Sequence, residues 1–341
     1  MRVLHVHNLM HRHYGKRNSY SGSKFSNGII RANHNLYEFS DRDIVRFEAP
    51  FRIRPLGIKA MNQKLLETCY NFKPDFILLG HCDLVTASTL TEVRRLLPRV
   101  KIAHWFLDAL WIKRNVYRLK SVMNQVDSIF VTTAGNALKQ FCTGNNVVCF
   151  IPNPSDSSVE NYNNSKKTEF EVDLLFCGVG KKSDDRYSLL QYLDHGIGRQ
   201  LNFKTYGIYG DSPIWGSAYQ DLLGDVKMAL NLNRAEGWKY YSSDRISQLM
   251  ANGILTFMWD SGDMRELLGG QNAVFFNSKE ELLNFVISVH HNDEERVRIA
   301  SAGRDHYIKY FNSEKIINYI IETTFGQPYS SEYLWSSESY K

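Results

Sequence analysis

Tyr240–Trp259 reads YYSSDRISQLMANGILTFMW, and the rest of the chain is organised around it. Ile246, Leu249 and Met250 recur at helical spacing, and Gly253 follows where a helix needs a left-handed stop. Ile254–Trp259 then reads as a short buried strand. Ser242, Ser243 and Asp244 stand where the helix starts, so capping side chains, free backbone N–H groups and the positive dipole end meet beside Arg245. Such a place attracts phosphate. A capped helix before a strand is common, so the elements around it decide what this one serves.

Upstream, short apolar runs alternate with helical ones. Val3–Val6, Asp43–Phe47, Asp75–Leu79, Lys101–Leu107, Ser128–Thr132 and Val147–Ile151 read as strands. Ser23–Leu36, Ile58–Asn71, Val85–Leu97, Asn115–Val126 and Ala134–Cys142 read as helices. Buried strands of about five residues separated by helices predict a doubly wound parallel sheet. Pro152-Asn153-Pro154 opens a polar stretch that runs to Glu169 and reads as a linker. The pattern restarts with strands at Val172–Cys177, Asn202–Tyr206 and Lys227–Leu232 and a helix at Arg186–Leu193. After Trp259 come a short helix at Asp263–Leu268, a strand at Ala273–Phe276 and three helices, Lys279–His290, Asp293–Tyr310 and Ser313–Thr324. The aromatic, aperiodic end YSSEYLWSSESYK reads as a tail that packs back on the body. The expected division is 1–151, a linker at 152–169, a second α/β domain at 170–312, and a helix and tail at 313–341. Two such domains are expected to face a cleft.

Length and composition agree. At 341 residues the chain exceeds one typical core, and 43% apolar with 23% charged residues is globular. An excess of 41 basic over 36 acidic side chains suits an anionic small molecule or a membrane surface, and no basic run or basic stripe with interleaved aromatics favours nucleic acid. Five cysteines without a C-x-x-C pair point to reduced cytosol and away from a thiolate zinc site. Nowhere do about 18 apolar residues run together, so a soluble protein is expected, with room for peripheral membrane contact.

Ligands of doubly wound sheets bind where strands end at their C-terminal edge. Four pieces of the first half fall there. The loop His11–Asn27 enters a helix through Ser21-Gly22-Ser23, with Lys16, Arg17 and Lys24 nearby; it reads as a ligand-approaching loop or as a flexible solvated one. It carries no G-x-G-x-x-G fingerprint, which argues against a nicotinamide dinucleotide enzyme. Gly80-His81-Cys82-Asp83 follows DFILL and offers a base or a hydroxyl partner, or simply a helix cap. Asp108 ends the run KIAHWFLD beside aromatic rings, and a carboxylate there needs a ligand or a backbone N–H to answer it. His5, His7, His11 and His13 have H-x-H spacing, but no acidic or cysteine ligand follows at a convincing distance, so they are read as sheet and loop histidines and no metal is expected.

The series PDFILLGH, KIAHWFLD, IPNPSD, VDLLFCG, RISQLMANGILTF and the helix at Glu280-Glu281-Leu282 after VFFNS resembles GT-B glycosyltransferases of the "glycosyl transferases group 1" type. The likeness is close in the second half and looser in the first. It implies a GT-B architecture: two Rossmann-like domains facing a cleft, with a helical C-terminal end. It also implies transfer of a sugar from a nucleotide-sugar donor to a carbohydrate or lipid-linked acceptor, with retention of configuration. Surface polysaccharide or lipopolysaccharide assembly is the usual setting. In that family an acidic-Met-Ala-x-Gly segment binds the donor nucleotide, and Gln248–Gly253 stands in its place. Two glutamates eight positions apart are replaced by Tyr240 and Gln248, so ribose binding by Gln248 remains chemically open while a carboxylate role at Tyr240 does not. By resemblance, phosphate falls to Ser242, Ser243 and Arg245 with Gly178, Lys181 and Lys182, and the base to Tyr206 and Gly207.

Helix N–H groups and a guanidinium can stabilise the leaving diphosphate without a metal or other cofactor. On the acceptor side His81 or Asp108 would orient or deprotonate the hydroxyl. The rival readings are a nucleotide-sugar 2-epimerase on the same architecture and a non-catalytic GT-B binding subunit.

Overall fold

The computed structural model describes residues 1–16 and 20–341. The chain forms two compact units, Met1–Pro154 with Asn312–Lys341, and Ser155–Phe311.

The first unit begins β1 (Arg2–Val6), α1 (Tyr20–Arg31), β2 (Asn35–Phe39), α2 (Asp41–Glu48), α3 (Arg54–Phe72), β3 (Phe76–Gly80) and α4 (Ala87–Leu96). It continues β4 (Lys101–Phe106), α5 (Lys113–Val122), β5 (Ser128–Val131) and β6 (Val147–Phe150). The second holds β7 (Val172–Cys177), α6 (Asp185–Ile197), β8 (Phe203–Tyr206), α7 (Gly216–Leu223), β9 (Val226–Leu230), α8 (Arg245–Ala251) and β10 (Leu255–Trp259). It ends with α9 (Met264–Leu268), β11 (Val274–Phe276), α10 (Lys279–His291) and α11 (Asp293–Tyr310), after which α12 (Ser313–Phe325) and β12 (Ser339–Tyr340) return to the first unit.

Among the described residues the first sheet has seven strands in the order β12-β6-β5-β4-β3-β1-β2, parallel except for β12 against β6. The second has five parallel strands in the order β11-β10-β9-β7-β8. In each, the chain leaves one strand for opposite sides of itself: β1 between β3 and β2, and β7 between β9 and β8. A crevice opens at the C-terminal ends of the strands where the order reverses. The two reversals, β1/β3 and β7/β9, are the places to look for ligands.

Both faces of the second sheet are buried. Leu174, Phe176, Met228, Leu230 and Phe257 pack under α6 and α10, while Val172, Leu175, Ala229 and Leu249 fill the other face. Each of the Val, Leu, Met and Phe side chains among these contributes about 1.5–3 kcal/mol of burial. Near-continuous apolar runs are what a sheet covered on both faces requires.

Several elements differ from expectation. Asp43–Phe47 is the middle of helix α2, and the strand is Asn35–Phe39, whose first two residues, Asn35 and Leu36, fall at the end of the expected first helix. That helix ends at Arg31, with Asn33 in the left-handed region. β2 is an edge strand with exposed positions, so it lacks an apolar run. Residues 134–142 form a tight 3-10 segment, Gly135–Phe141, rather than an α-helix. Most of the expected linker lies inside the second unit, where the Asn164 side chain is fully buried and donates to the carbonyls of Leu223 and Val226. The tail is anchored: Trp335 and Tyr333 are buried, and Glu338 accepts from the Gly135 amide at 2.8 Å.

Candidate functional site

At the β7/β9 reversal the crevice is built around one guanidinium. Arg245, the first residue of α8, donates from Nη1 to the Cys177 carbonyl at 2.8 Å, from Nη2 to Leu232 at 2.6 Å and from Nε to Asn231 Oδ1 at 3.3 Å. It lies over the Phe176 ring, 5.2 Å from its centroid. Desolvation pulls its pKa below the usual arginine value. Among the described residues no carboxylate is paired with it. A cation taken partly out of water and facing carbonyl oxygens lacks a counter-charge, which an anionic ligand would supply.

The glycine loop after β7 faces the same point. Gly207, at φ +96, comes so close that a Cβ there would stand 2.9 Å from the Gly178 carbonyl, so these two loops need glycine to meet. Among the described residues the amides of Val179, Gly180 and Lys181 donate to nothing in the chain, while the Val179 carbonyl takes Arg186 at 3.2 Å and Arg234 at 2.7 Å. Free amides and three guanidiniums around one loop form an anion-receptive edge. Lys181 and Lys182 are exposed, and Tyr206 is half-buried at the end of β8.

The expected cap is not made. Helix α8 has seven residues, its N-cap Asp244 has helical dihedrals, and no side chain closes it. Ser242 is instead buried, its Oγ accepting from Asn231 at 2.9 Å. Ser243 Oγ is buried with no hydrogen-bond partner. Tyr240 sits at φ 55 with its amide on the Gly262 carbonyl at 2.7 Å. Gln248 lies half-buried on α8. Arg245 therefore carries the electrostatics that the helix end was expected to carry. Asn231, Arg234 and Arg186 were missed; the polar run Asn231-Leu232-Asn233-Arg234 directly after a strand was the available signal.

In the first unit the β1/β3 reversal holds the other candidates. His81 follows β3 in the left-handed region at φ 47, and its Nδ1 lies 3.8 Å from Asp108 Oδ2. Asp108 is also 4.0 Å from Arg118, which with Arg42 binds Asp83 at 3.0 and 2.8 Å. Burial lowers the His81 pKa and Asp108 opposes that shift. His81, Asp108, Arg118, Arg42, His7 and Gly22 line one open cavity of about 400 Å³. Ser21 and Gly22 belong to α1, Lys16 is exposed, and Arg17 lies outside the described residues.

The first two histidines are not isolated. His5 and His7 stack with ring centroids 4.0 Å apart, and Glu38 of β2, paired in register with His5, places its carboxylate so that one ligand-type atom from each lies within 4.8 Å of the others. The acidic partner that linear spacing did not reveal is supplied across the sheet.

Residues 186–322 match the family described as glycosyl transferase-like. No curated protein matches the chain by sequence. AviGT4, a glycosyltransferase involved in avilamycin A biosynthesis, superposes with a TM-score of 0.60 at 13% identity over 100% of both chains. HepE of Anabaena, solved in complex with UDP, gives 0.62 at 12% identity over 96% of this chain and 100% of its own. The chain has the GT-B fold. At these identities the structural likeness is one of fold, and other proteins share it. Sucrose-phosphate synthase of Thermosynechococcus elongatus matches this GT-B chain with a TM-score of 0.62 at 9% identity, over 96% of this chain and 98% of that one. A UDP-N-acetylglucosamine 2-epimerase likewise gives 0.56 at 8% identity, over 97% and 99%.

Proposed function

We propose that this GT-B chain is a metal-independent glycosyltransferase that moves a sugar from a nucleotide-sugar donor to a hydroxyl acceptor, in surface polysaccharide or lipopolysaccharide biosynthesis. The observation that carries the reading is Arg245, a guanidinium without a carboxylate partner at the β7/β9 reversal. In this reading the donor diphosphate lies between Arg245, Ser243 and the free amides of Val179–Lys181, with Lys181 and Lys182 reaching it from solvent. Gln248 holds the ribose, and Tyr206 with Gly207 borders the base. As the glycosidic bond breaks, charge grows on the leaving phosphate, and preorganised donors stabilise that charge more than they stabilise the ground state. His81 and Asp108 hold the acceptor hydroxyl in the cavity of the first unit.

The binding of UDP and UDP-glucose by HepE lends support to a nucleotide-sugar donor. A lipid-linked acceptor fits a second feature. Phe47 and Phe51 are 88% and 92% exposed, Ile53 and Leu56 are exposed beside them, and Arg46, Arg54 and Lys59 stand among these apolar residues. Apolar side chains interleaved with cations suit an anionic bilayer surface. Among the described residues no helix is long and apolar enough to cross a membrane, so the contact is peripheral. Analysis of products with donor alone and with a lipid-linked saccharide acceptor tests the reading. A transferred sugar supports it, whereas an epimerised nucleotide-sugar formed without acceptor points to the 2-epimerase chemistry found on the same fold.

A further inference from the structure

Asp83 sets two guanidiniums side by side at the C-terminal edge of the first sheet. Its Oδ1 accepts from Arg42 Nε of α2 at 2.9 Å, with Nη2 of the same group 2.8 Å away, and its Oδ2 accepts from Arg118 Nη2 of α5 at 3.0 Å. Holding two like charges this close costs free energy, and one carboxylate neutralises only one of them. The other acids nearby do not close the gap. Asp41, next to Arg42, is buried, and desolvation raises its carboxyl to about 7, so it carries only part of a charge at neutral pH. Asp108 Oδ2 stands 4.0 Å from Arg118 Nη1, too far for a hydrogen bond. Among the described residues the Arg118 guanidinium donates to Asp83 alone, which leaves four of its five N–H groups unspent, and Nη1 of Arg42 is unspent as well.

Both side chains line the open cavity of about 400 Å³ that also holds His81 and Asp108, and each is 24% exposed. All the residues that line it belong to the first unit. Two forked cations, fixed from behind by a carboxylate and open in front, match the oxygens of a phosphate. The same helix leads away from the cavity to an apolar surface. Arg46 follows Arg42 one turn later on the same face of α2, and Phe47 beside it is 88% exposed. At 1.5 Å per residue Phe47 lies only about 7.5 Å along the helix from Arg42. A hydrocarbon chain esterified to a phosphate at Arg42 therefore reaches the exposed Phe47 within a short length.

We propose that Arg42 and Arg118 bind a phosphate ester of the acceptor, which is a sugar joined through phosphate to a lipid. This rests on the transferase reading above. Asp83 is the positioning residue that keeps the two guanidiniums together. His81 and Asp108 hold the hydroxyl, as in that reading. With hydrogen bonds of about 2.8 Å at each end, a phosphate on Arg118 Nη1 and a hydroxyl on Asp108 lie no more than about 10 Å apart. That is the reach of one sugar ring, so the sugar that is extended is the one attached to the phosphate and not the far end of a long saccharide. A free sugar phosphate shares this recognition, and the hydrocarbon near Phe47 is what separates the two.

The test is the binding of citronellyl phosphate, inorganic phosphate and citronellol to the full chain by isothermal calorimetry. Citronellyl phosphate should bind, inorganic phosphate should bind at least about tenfold more weakly, and citronellol should bind more weakly than citronellyl phosphate by at least the same factor. Arg42→Gln and Arg118→Gln should each lower the affinity for citronellyl phosphate at least about tenfold, the loss of a charge-assisted hydrogen bond. Melting curves by circular dichroism show whether each variant folds. For one that does not, the lysine variant keeps a charge beside Asp83 but loses the fork, and should show a smaller loss in the same direction. Inorganic phosphate that binds as tightly as citronellyl phosphate would overturn the lipid and leave a free sugar phosphate as the acceptor. Citronellyl phosphate that binds no better than citronellol, or that binds both arginine variants as well as the parent, would overturn the proposal. Binding through Arg42 and Arg118 by a parent that takes none of UDP, GDP, CMP and dTDP would remove the transferase reading and keep the phosphate site. Nucleotide binding without citronellyl phosphate binding would do the reverse.

Discussion

Arg245 Nη1 donates to the carbonyl oxygen of Cys177 at 2.8 Å, tying the first residue of α8 to the last residue of β7. With Nη2 on Leu232 the same guanidinium spans the crevice between β7 and β9. Three of its five N–H groups are used in these contacts, including the one to Asn231, which leaves two for a ligand. Arg245→Lys keeps the charge but cannot span both carbonyls. It should therefore fold, melt at a lower temperature, and lose at least about tenfold in donor turnover, the loss expected for a charge-assisted hydrogen bond of about 1.5–3 kcal/mol. Calorimetry and turnover on the same preparation check both parts.

Asp108 stands beside His81 and Arg118 with 41% of its side chain exposed. Asp108→Asn removes the charge and keeps the shape. The expected result is a fall in transfer rate of about 10- to 100-fold, with nucleotide affinity unchanged. Loss of nucleotide affinity would assign Asp108 to another role.

Asp41 supplies a pH prediction outside the candidate sites. It is fully buried, with Oδ2 unpartnered, and desolvation raises its pKa from 3.8 to about 7. A carboxyl whose folded pKa is raised favours folding below its unfolded pKa, and that contribution is lost as pH climbs through the folded value. Asp41→Asn should therefore stabilise the protein above about pH 7 by a few kcal/mol and change little near about pH 4. His104, lowered to about 4 by burial, acts in the opposite sense as pH falls from 6.5. Because it is present in both proteins, the difference between variant and parent isolates Asp41. Urea unfolding across this pH range measures that difference.

Phe47 and Phe51 should insert at an anionic lipid surface. Co-sedimentation with phosphatidylglycerol vesicles should exceed that with phosphatidylcholine vesicles, and Phe47→Ser/Phe51→Ser should lower it at least about tenfold, given about 0.8 kcal/mol per buried methylene. Equal binding to both lipids, or an unchanged variant, would contradict this face.

How much of this was legible depended on whether a signal lay along the chain or across it. VDLLFC and ILTFMW announce buried strands because both faces of their sheet are covered, and an apolar run is the local result. NLYEF does not, because β2 has one neighbour and leaves side chains in solvent. Arg245 was visible beside a predicted helix start, although the helix end proved short and uncapped. His81 and Asp108 were found separately at strand ends, and the parallel register of β3 and β4 brings them together. Glu38 was not found, since its link to His5 and His7 comes from the pairing of β1 with β2 and no spacing encodes it. Asn231 and Arg234 were missed for the same reason: their importance comes from the loop that β7 sends against them.

The claim that the β7/β9 crevice holds the donor's phosphates is tested most directly by titrating UDP, GDP, CMP and dTDP into the parent and into Arg245→Lys by isothermal calorimetry. At least one nucleotide should bind the parent and lose at least about tenfold in affinity in the variant, about 1.4 kcal/mol. Binding of equal strength in both proteins, or no binding to the parent by any of the four, would contradict the account.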